Sequence, residues 1–346
     1  MCSDRLTGQQ NASDSTSDDE GWFVPKRPAS GLRDHLWFVA KLGVTALLFW
    51  AIFRNVDPSP VLARLAGLNI GLLLLALGII SLQIGLAAVR WGYILQVAGA
   101  PLATPLLIRF MMIGQFFNQA MVSTIGGDVV RVWLAGKAGG SYRGAAIGVL
   151  ADRGFGVFTL LLLVAAAWPL QRQFFATAAL GPVGFVLVAA GIAGFLGLAA
   201  FGAPLSRLFR GWRPVRPLGT LALLLGRVLG RAGMACGVLG ISLLIHALSL
   251  LAMKILAQAL GLDIPFLALA GVVPLVLLLS IIPITVGGWG LRESLMITGL
   301  GFVGVPSADG LALSVLFGLG LTAVGIPGGL LWLRGRRHLS LNEDRP

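Results

Sequence analysis

Charged side chains are scarce in this chain: Asp, Glu, Lys and Arg make up 12% of its 346 residues. A soluble domain carries roughly 25%, so water is excluded as the main solvent. Cysteine is nearly absent, with Cys2 and Cys236 alone, which excludes a disulfide framework. Three scattered histidines, His35, His246 and His338, do not form a metal-ligand cluster, and no metal or cofactor is expected. The chain lacks a Gly-rich nucleotide loop, paired carboxylates at acid–base spacing and a Ser/His/Asp set. A primary ATP-driven pump is therefore disfavoured. Acids are also outnumbered, 14 to 26, for a net charge of +12. Nucleic acid is not the implied partner, because the basic residues fall in short connections between apolar segments, where the positive-inside bias places them. Affinity for anionic lipid head groups follows from the same distribution.

What fills the chain is oil: 57% of it is hydrophobic, in runs longer than the ~18 residues that mark a transmembrane helix. Full spans are expected at about Leu36–Phe53, Leu68–Val89, Gly144–Trp168, Val183–Phe201, Met234–Leu260 and Leu311–Leu333. The second closes on Arg90-Trp91-Gly92-Tyr93, which reads as a basic and aromatic interface belt; Trp133 reads as an interface anchor as well. Between the spans lie two broken pairs, about Pro105–Met121 with Ile125–Gly136, and Pro265–Ile282 with Thr285–Leu300. Residues 1–33, polar and acidic, read as a disordered cytoplasmic tail. They are not a signal peptide, since the first apolar run begins only near Leu36 and has no small-residue cleavage site. A single transmembrane domain is expected over 34–335 and a second cytoplasmic tail over 336–346.

Charge sets the sides. The segment Pro204–Arg231 holds Arg207, Arg210, Arg213, Arg216, Arg227 and Arg231 without an acid, and reads as a basic cytoplasmic loop. Both termini, Arg90 and Lys137–Arg143 then lie inside, and the protein reads as a multi-pass protein of the cell inner membrane. On this count the first broken pair enters from the cytoplasm and the second from outside. The fold class expected is all-α, a polytopic membrane helical bundle with two broken or re-entrant helix pairs in an inverted-topology repeat, its halves at about 68–168 and 234–333.

The broken pairs carry an echo. Thr124-Ile125-Gly126-Gly127-Asp128-Val129-Val130-Arg131 recurs 161 positions later as Thr285-Val286-Gly287-Gly288-Trp289-Gly290-Leu291-Arg292. Paired glycines can unwind a helix so that the next begins with free N–H groups, an anion site. They can equally serve close helix packing; the Arg attached to each copy favours the anion. Asp128 and Arg131 fall on one helical face and can neutralise each other. In Asp152-Arg153 and Arg292-Glu293 adjacent side chains point about 100° apart, so each charge is expected to find its partner elsewhere. Arg109 and Lys254 are further candidates for the same polar interior. An ionisable group at membrane depth costs about 2.5–3.5 kcal/mol and marks a site, or else a structural salt-bridge network. His246 reads as a helix-packing residue.

Phe117-Asn118, the first octet with Ser123 before it, Asp152-Arg153, and Pro283-Ile284-Thr285-Val286-Gly287-Gly288 through Arg292-Glu293 resemble the lysylphosphatidylglycerol synthase transmembrane (flippase) region family, over about 36–335. The resemblance implies a lipid translocase. On that reading Arg131, Arg153 and Arg292 hold an anionic phospholipid or polyprenyl-phosphate-type head group in a midplane cavity, with Asp128 and Glu293 orienting them or carrying a coupling proton. Gly126, Gly127, Gly287, Gly288, Thr124, Thr285, Asn118 and Trp289 complete the expected substrate site. Members with a C-terminal aminoacyltransferase domain differ from this chain, which stops soon after its last span, so that activity is not implied. The alternatives are a membrane-embedded enzyme using Asp128 or Glu293 as base on a lipid-linked substrate, and an assembly factor. A lipid-modifying enzyme partner or a homo-oligomer fits each of them.

Overall fold

A computed structural model describes residues 32–121, 126–139, 141–174, 180–208 and 216–343. Residues 1–39 and 40–346 form separate contact units. In the first, the described residues 32–39 are helical; all that follows concerns the second.

The described residues form helices and no strand. In order they are α1 (Leu32–Asn55), α2 (Pro58–Ala66), α3 (Ile70–Val97), α4 (Thr104–Ala120), α5 (Gly126–Lys137), α6 (Tyr142–Ala166), α7 (Trp168–Phe174), α8 (Leu180–Ala200), α9 (Gly202–Leu208), α10 (Arg216–Leu229), α11 (Ala232–Ala259), α12 (Phe266–Leu279), α13 (Leu291–Gly301) and α14 (Ser307–Glu343). Lipid offers the backbone no hydrogen-bond partner, so apolar runs must satisfy themselves as helices. Polar caps mark where several begin. Asn69 Oδ1 accepts from Leu72 N at 3.1 Å, Ser141 Oγ from Gly144 N at 3.2 Å, and Asp57 Oδ1 from Ser59 N at 2.8 Å.

Among the described residues, six helices are long and apolar enough to cross a bilayer: α1 from Phe38, α3, α6, α8 from Val183, α11, and α14 as far as Gly335. The protein is a multi-pass membrane protein. Two boundaries differ from the sequence reading. Helix α3 continues through Arg90-Trp91 to Val97 because those side chains turn inward. The arginine-rich segment 204–231 is not a simple loop: α9 and α10 occupy its described parts. Helix α10 buries Leu224, Leu225 and Val228 against Ala151 and Phe155 of α6, Ala199 of α8 and Val238 of α11, an amphipathic helix docked by one face.

The broken pairs are short. Helices α4, α5, α12 and α13 have 17, 12, 14 and 11 residues, about 25, 18, 21 and 16 Å at 1.5 Å per residue. A hydrocarbon core is about 30 Å thick, so none crosses it alone as a straight helix. Helices α4 and α5 pack antiparallel: Asn118 reaches Gly127, Gly114 lies under Arg131, and Phe110 and Leu134 share a cavity further along.

Helix α14 is the rod against which both pairs lie. At its start Arg64 of α2 holds Asp309 at 3.0 and 3.3 Å, and Gly310 lies on Ile297 of α13. In its middle Gly318 lies under Arg292, and the Leu321 carbonyl accepts from Gln115 Nε2 of α4 at 3.5 Å. Beyond, Gly325, Gly328 and Gly329 let α4 approach; a Cβ on Gly328 would collide with the Met112 carbonyl. At its far end Gly335 meets Arg109, and Trp332 meets Trp133 of α5.

Candidate functional site

Two buried arginine–carboxylate clusters stand where the repeated octets end. The first joins α3, α5, α6 and α11. Asp152 accepts from Arg90 Nε at 2.8 Å and from Arg131 Nη2 at 3.2 Å. Asp128 accepts from Arg131 Nη1 at 3.2 Å and from Arg153 at 2.7 and 3.2 Å. Arg90 also donates to Ser242 Oγ at 2.9 Å. The Arg131 guanidinium lies over the Trp91 ring, 4.2 Å from its centroid, a cation–π contact. Arg131 can pass between its neighbours because Gly114 leaves room for its stem, where a Cβ would stand 2.9 Å from Cγ and Cδ. Asn118 Oδ1 accepts from Gly127 N at 3.0 Å, and any side chain at 127 would collide with the Gly114 carbonyl.

Four of these five charged side chains are buried, and one is open. Side-chain exposure is 9% for Arg90, 5% for Arg131, 3% for Asp152 and 11% for Asp128, but 46% for Arg153. Three guanidiniums against two carboxylates leave the cluster one positive charge.

The second cluster is smaller, neutral and closed. Arg292 Nη2 donates to Glu293 Oε1 at 2.6 Å, and Ser314 Oγ donates to the same oxygen at 3.2 Å. Glu293 Oε2 accepts from Gly290 N at 2.6 Å, capping the start of α13. The protein's own carboxylate thus takes a helix N-terminal N–H of the kind the sequence reading offered to a lipid phosphate. Trp289 and Phe317 rings flank the Arg292 guanidinium at 4.9 and 5.8 Å. A Cβ on Gly318 would collide with Arg292 Nη2.

The two glycine pairs do different things. Gly287 and Gly288 have φ of +59° and +81°, and Gly290 has +85°, left-handed conformations that favour glycine. Gly126 and Gly127 are helical and serve close approach; a Cβ on Gly126 would stand 2.6 Å from Met121 Sδ. Thr285 is buried with its hydroxyl unpartnered among the described residues. Thr124, with Ser123 and Ile125, lies outside the described residues.

The structure brings Asp128, Arg131, Asp152 and Arg153 together, and separately Trp289, Arg292 and Glu293. Among the described residues no hydrogen bond or ion pair joins the two sets. The second motif lies near the end of α4 instead: a Cβ on Gly287 would lie 3.9 Å from the Gln119 carbonyl.

Four expectations need correction. Arg292 and Glu293, neighbours in sequence, do pair with each other, because Glu293 curls back over the first turn of α13 and the longer arginine follows it. Arg90 and Trp91 are not interface anchors but buried members of the first cluster, at 8% and 0% exposure. Lys254 stays outside both clusters, donating to the Ile264 carbonyl at 2.7 Å and pairing with Asp263 at 3.3 Å. Arg109 is exposed, at the far end of α14. Ser242 and Ser314 gave no sequence signal, since a serine in an apolar helix usually bonds its own backbone. His246 Nε2 donates to the Gly156 carbonyl at 3.1 Å, consistent with a helix-packing role. Among the described residues no group of three or more His, Cys, Asp or Glu could hold a metal.

Residues 38–328 match the lysylphosphatidylglycerol synthase TM region family, and the chain belongs to that family. No curated protein matches it.

Proposed function

We propose that this member of the family is a lipid translocase, which moves an anionic phospholipid or a polyprenyl-phosphate-type head group between the leaflets of the cell inner membrane. The observation that carries the reading is Arg153: it is the open member of a buried cluster with one uncompensated positive charge. A phosphate arriving there can take Arg153 as a bidentate partner. Asp128 keeps Arg131 when that happens, so no buried carboxylate is left alone. The arriving anion neutralises the surplus charge, which favours an anionic over a zwitterionic head group. Arg131, Asp152 and Arg90 then act as the fixed frame that positions Asp128 and Arg153. The neutral Arg292–Glu293 pair braces the second octet against α14.

The contacts along α14 favour an inverted repeat. Helix α5 ends beside Gly335, and Ile297 in the second half of α13 lies on Gly310, near opposite ends of the apolar part of α14. About its middle, Gly318 takes Arg292 at the start of α13, and Leu321 takes Gln115 from the second half of α4. With the positive-inside bias, the α5 end faces the cytoplasm. Asp128 and Glu293 already accept from arginines, which argues against either as a general base in a membrane enzyme.

The test is transport by protein in liposomes carrying head-group-accessible fluorescent phosphatidylglycerol, with a membrane-impermeant quencher reporting the inner-leaflet pool. Arg153→Gln should reduce exchange to the protein-free rate while the protein stays folded. Exchange at the wild-type rate in that variant would sink the proposal.

A further inference from the structure

A second group of cations stands apart from both clusters. A cavity of about 430 Å³ opens between α4, α5 and the end of α14, and Arg109, Lys137, Trp133 and Trp332 line it. No described lining residue is acidic. Arg109 and Lys137 are exposed, and neither is ion-paired with a described residue. Lys137 Nζ stands over the Trp133 ring at 4.6 Å from its centroid. The Trp133 and Trp332 rings meet edge to face at 5.6 Å. Gly335 is the residue that admits Arg109 to the rim: a Cβ there would stand 3.0 Å from Arg109 Nη2.

We infer that this cavity is a binding site for the phosphate of an anionic phospholipid, separate from the Arg153 cluster. Two cations without a counter-ion among the described residues supply the phosphate contact. The rest of the lining is that of an acyl–glycerol pocket: Phe110, Ile113, Leu134 and Leu331 form an apolar wall. The tryptophans stand where an amphipathic ring is favoured, at the boundary between acyl chain and head group. A free phosphate has no use for that wall, so the lipid is the better occupant. The inference does not rest on translocation, since neither Arg109 nor Lys137 belongs to the proposed transport cluster.

The test is tryptophan quenching of the whole protein in phosphatidylcholine nanodiscs, doped with brominated-chain phosphatidylglycerol or, in parallel, brominated-chain phosphatidylcholine. The signal read is the part of the quenching that W133F/W332F removes. Phosphatidylglycerol should quench preferentially. The Arg109→Gln/Lys137→Gln double variant should lose roughly 30-fold in that preference, from about one surface-cation contribution per residue. The charge-conserving R109K/K137R variant should keep most of it, which separates loss of the site from loss of the fold. Equal quenching by the two lipids, or an undiminished preference in the Gln variant, overturns the inference. Abolition of the preference by inorganic phosphate alone reassigns the cavity to a free anion and overturns the lipid reading too.

Discussion

Arg131 and Arg153 carry the same charge and share Asp128, yet one is sealed in and the other is open. Removing one partner of a buried ion pair strands the other and costs about 3–5 kcal/mol, whereas an exposed pair contributes at most about 1 kcal/mol. Asp152 is the most consequential residue by this measure, since two arginines depend on it. Asp152→Asn should lower thermal stability in detergent by about 3–5 kcal/mol, followed by tryptophan emission on heating. Arg153→Gln should stay within about 1 kcal/mol of wild type in the same assay. Arg131→Ala and Arg292→Ala behave like the former, so lost transport in either reports lost structure, and Arg153 is the informative position. The first octet and the Asp152-Arg153 pair disclosed four of the cluster's charges, but not which one faces outward. That depends on Trp91, Ser242 and Arg90, brought in by helices distant in sequence.

At the scale of the element, glycine decides what can pack. Gly318 gives its volume to the Arg292 guanidinium and the Trp289 ring, while Gly78 of α3 has open space where a Cβ would go. Gly318→Ala should therefore cost about 1–3 kcal/mol through overpacking, and Gly78→Ala should stay within about 0.5 kcal/mol. Comparable melting temperatures for the two would refute the close fit. The same scale shows what was legible beforehand. Six spans and two broken pairs could be read from hydropathy because lipid enforces it residue by residue. The end of α3 could not, because Arg90 reads as a boundary unless Asp152, 62 residues away, is known to receive it. The paired glycines were visible as a motif, yet one pair turns the backbone left-handed and the other lets two helices touch. Composition does not distinguish those uses. Helix α10 was hidden for a similar reason: its arginines read as a loop, while its buried face of Leu224, Leu225 and Val228 emerges only against the neighbouring helices.

For the whole molecule the question is whether the two octets face opposite sides of the membrane. Within the contact unit from residue 40 onward, α14 is the ruler. Its apolar part, Ser307–Gly335, has 29 residues, about 43 Å of helix at 1.5 Å per residue and more than the ~30 Å hydrocarbon core. Its two ends therefore belong to opposite membrane faces. Lys137 shares a cavity with Gly335 at one end, and Ser307 begins the other. Both residues are exposed. With Cys2 and Cys236 replaced by serine, single Lys137→Cys and Ser307→Cys variants should react with a membrane-impermeant maleimide from opposite sides of intact cells and inverted vesicles. Lys137→Cys should label only in inverted vesicles, and Ser307→Cys only in intact cells. Labelling of both from one side would remove the inversion. It would also take the inverted repeat out of the proposed transport path, while leaving both buried clusters as structural networks.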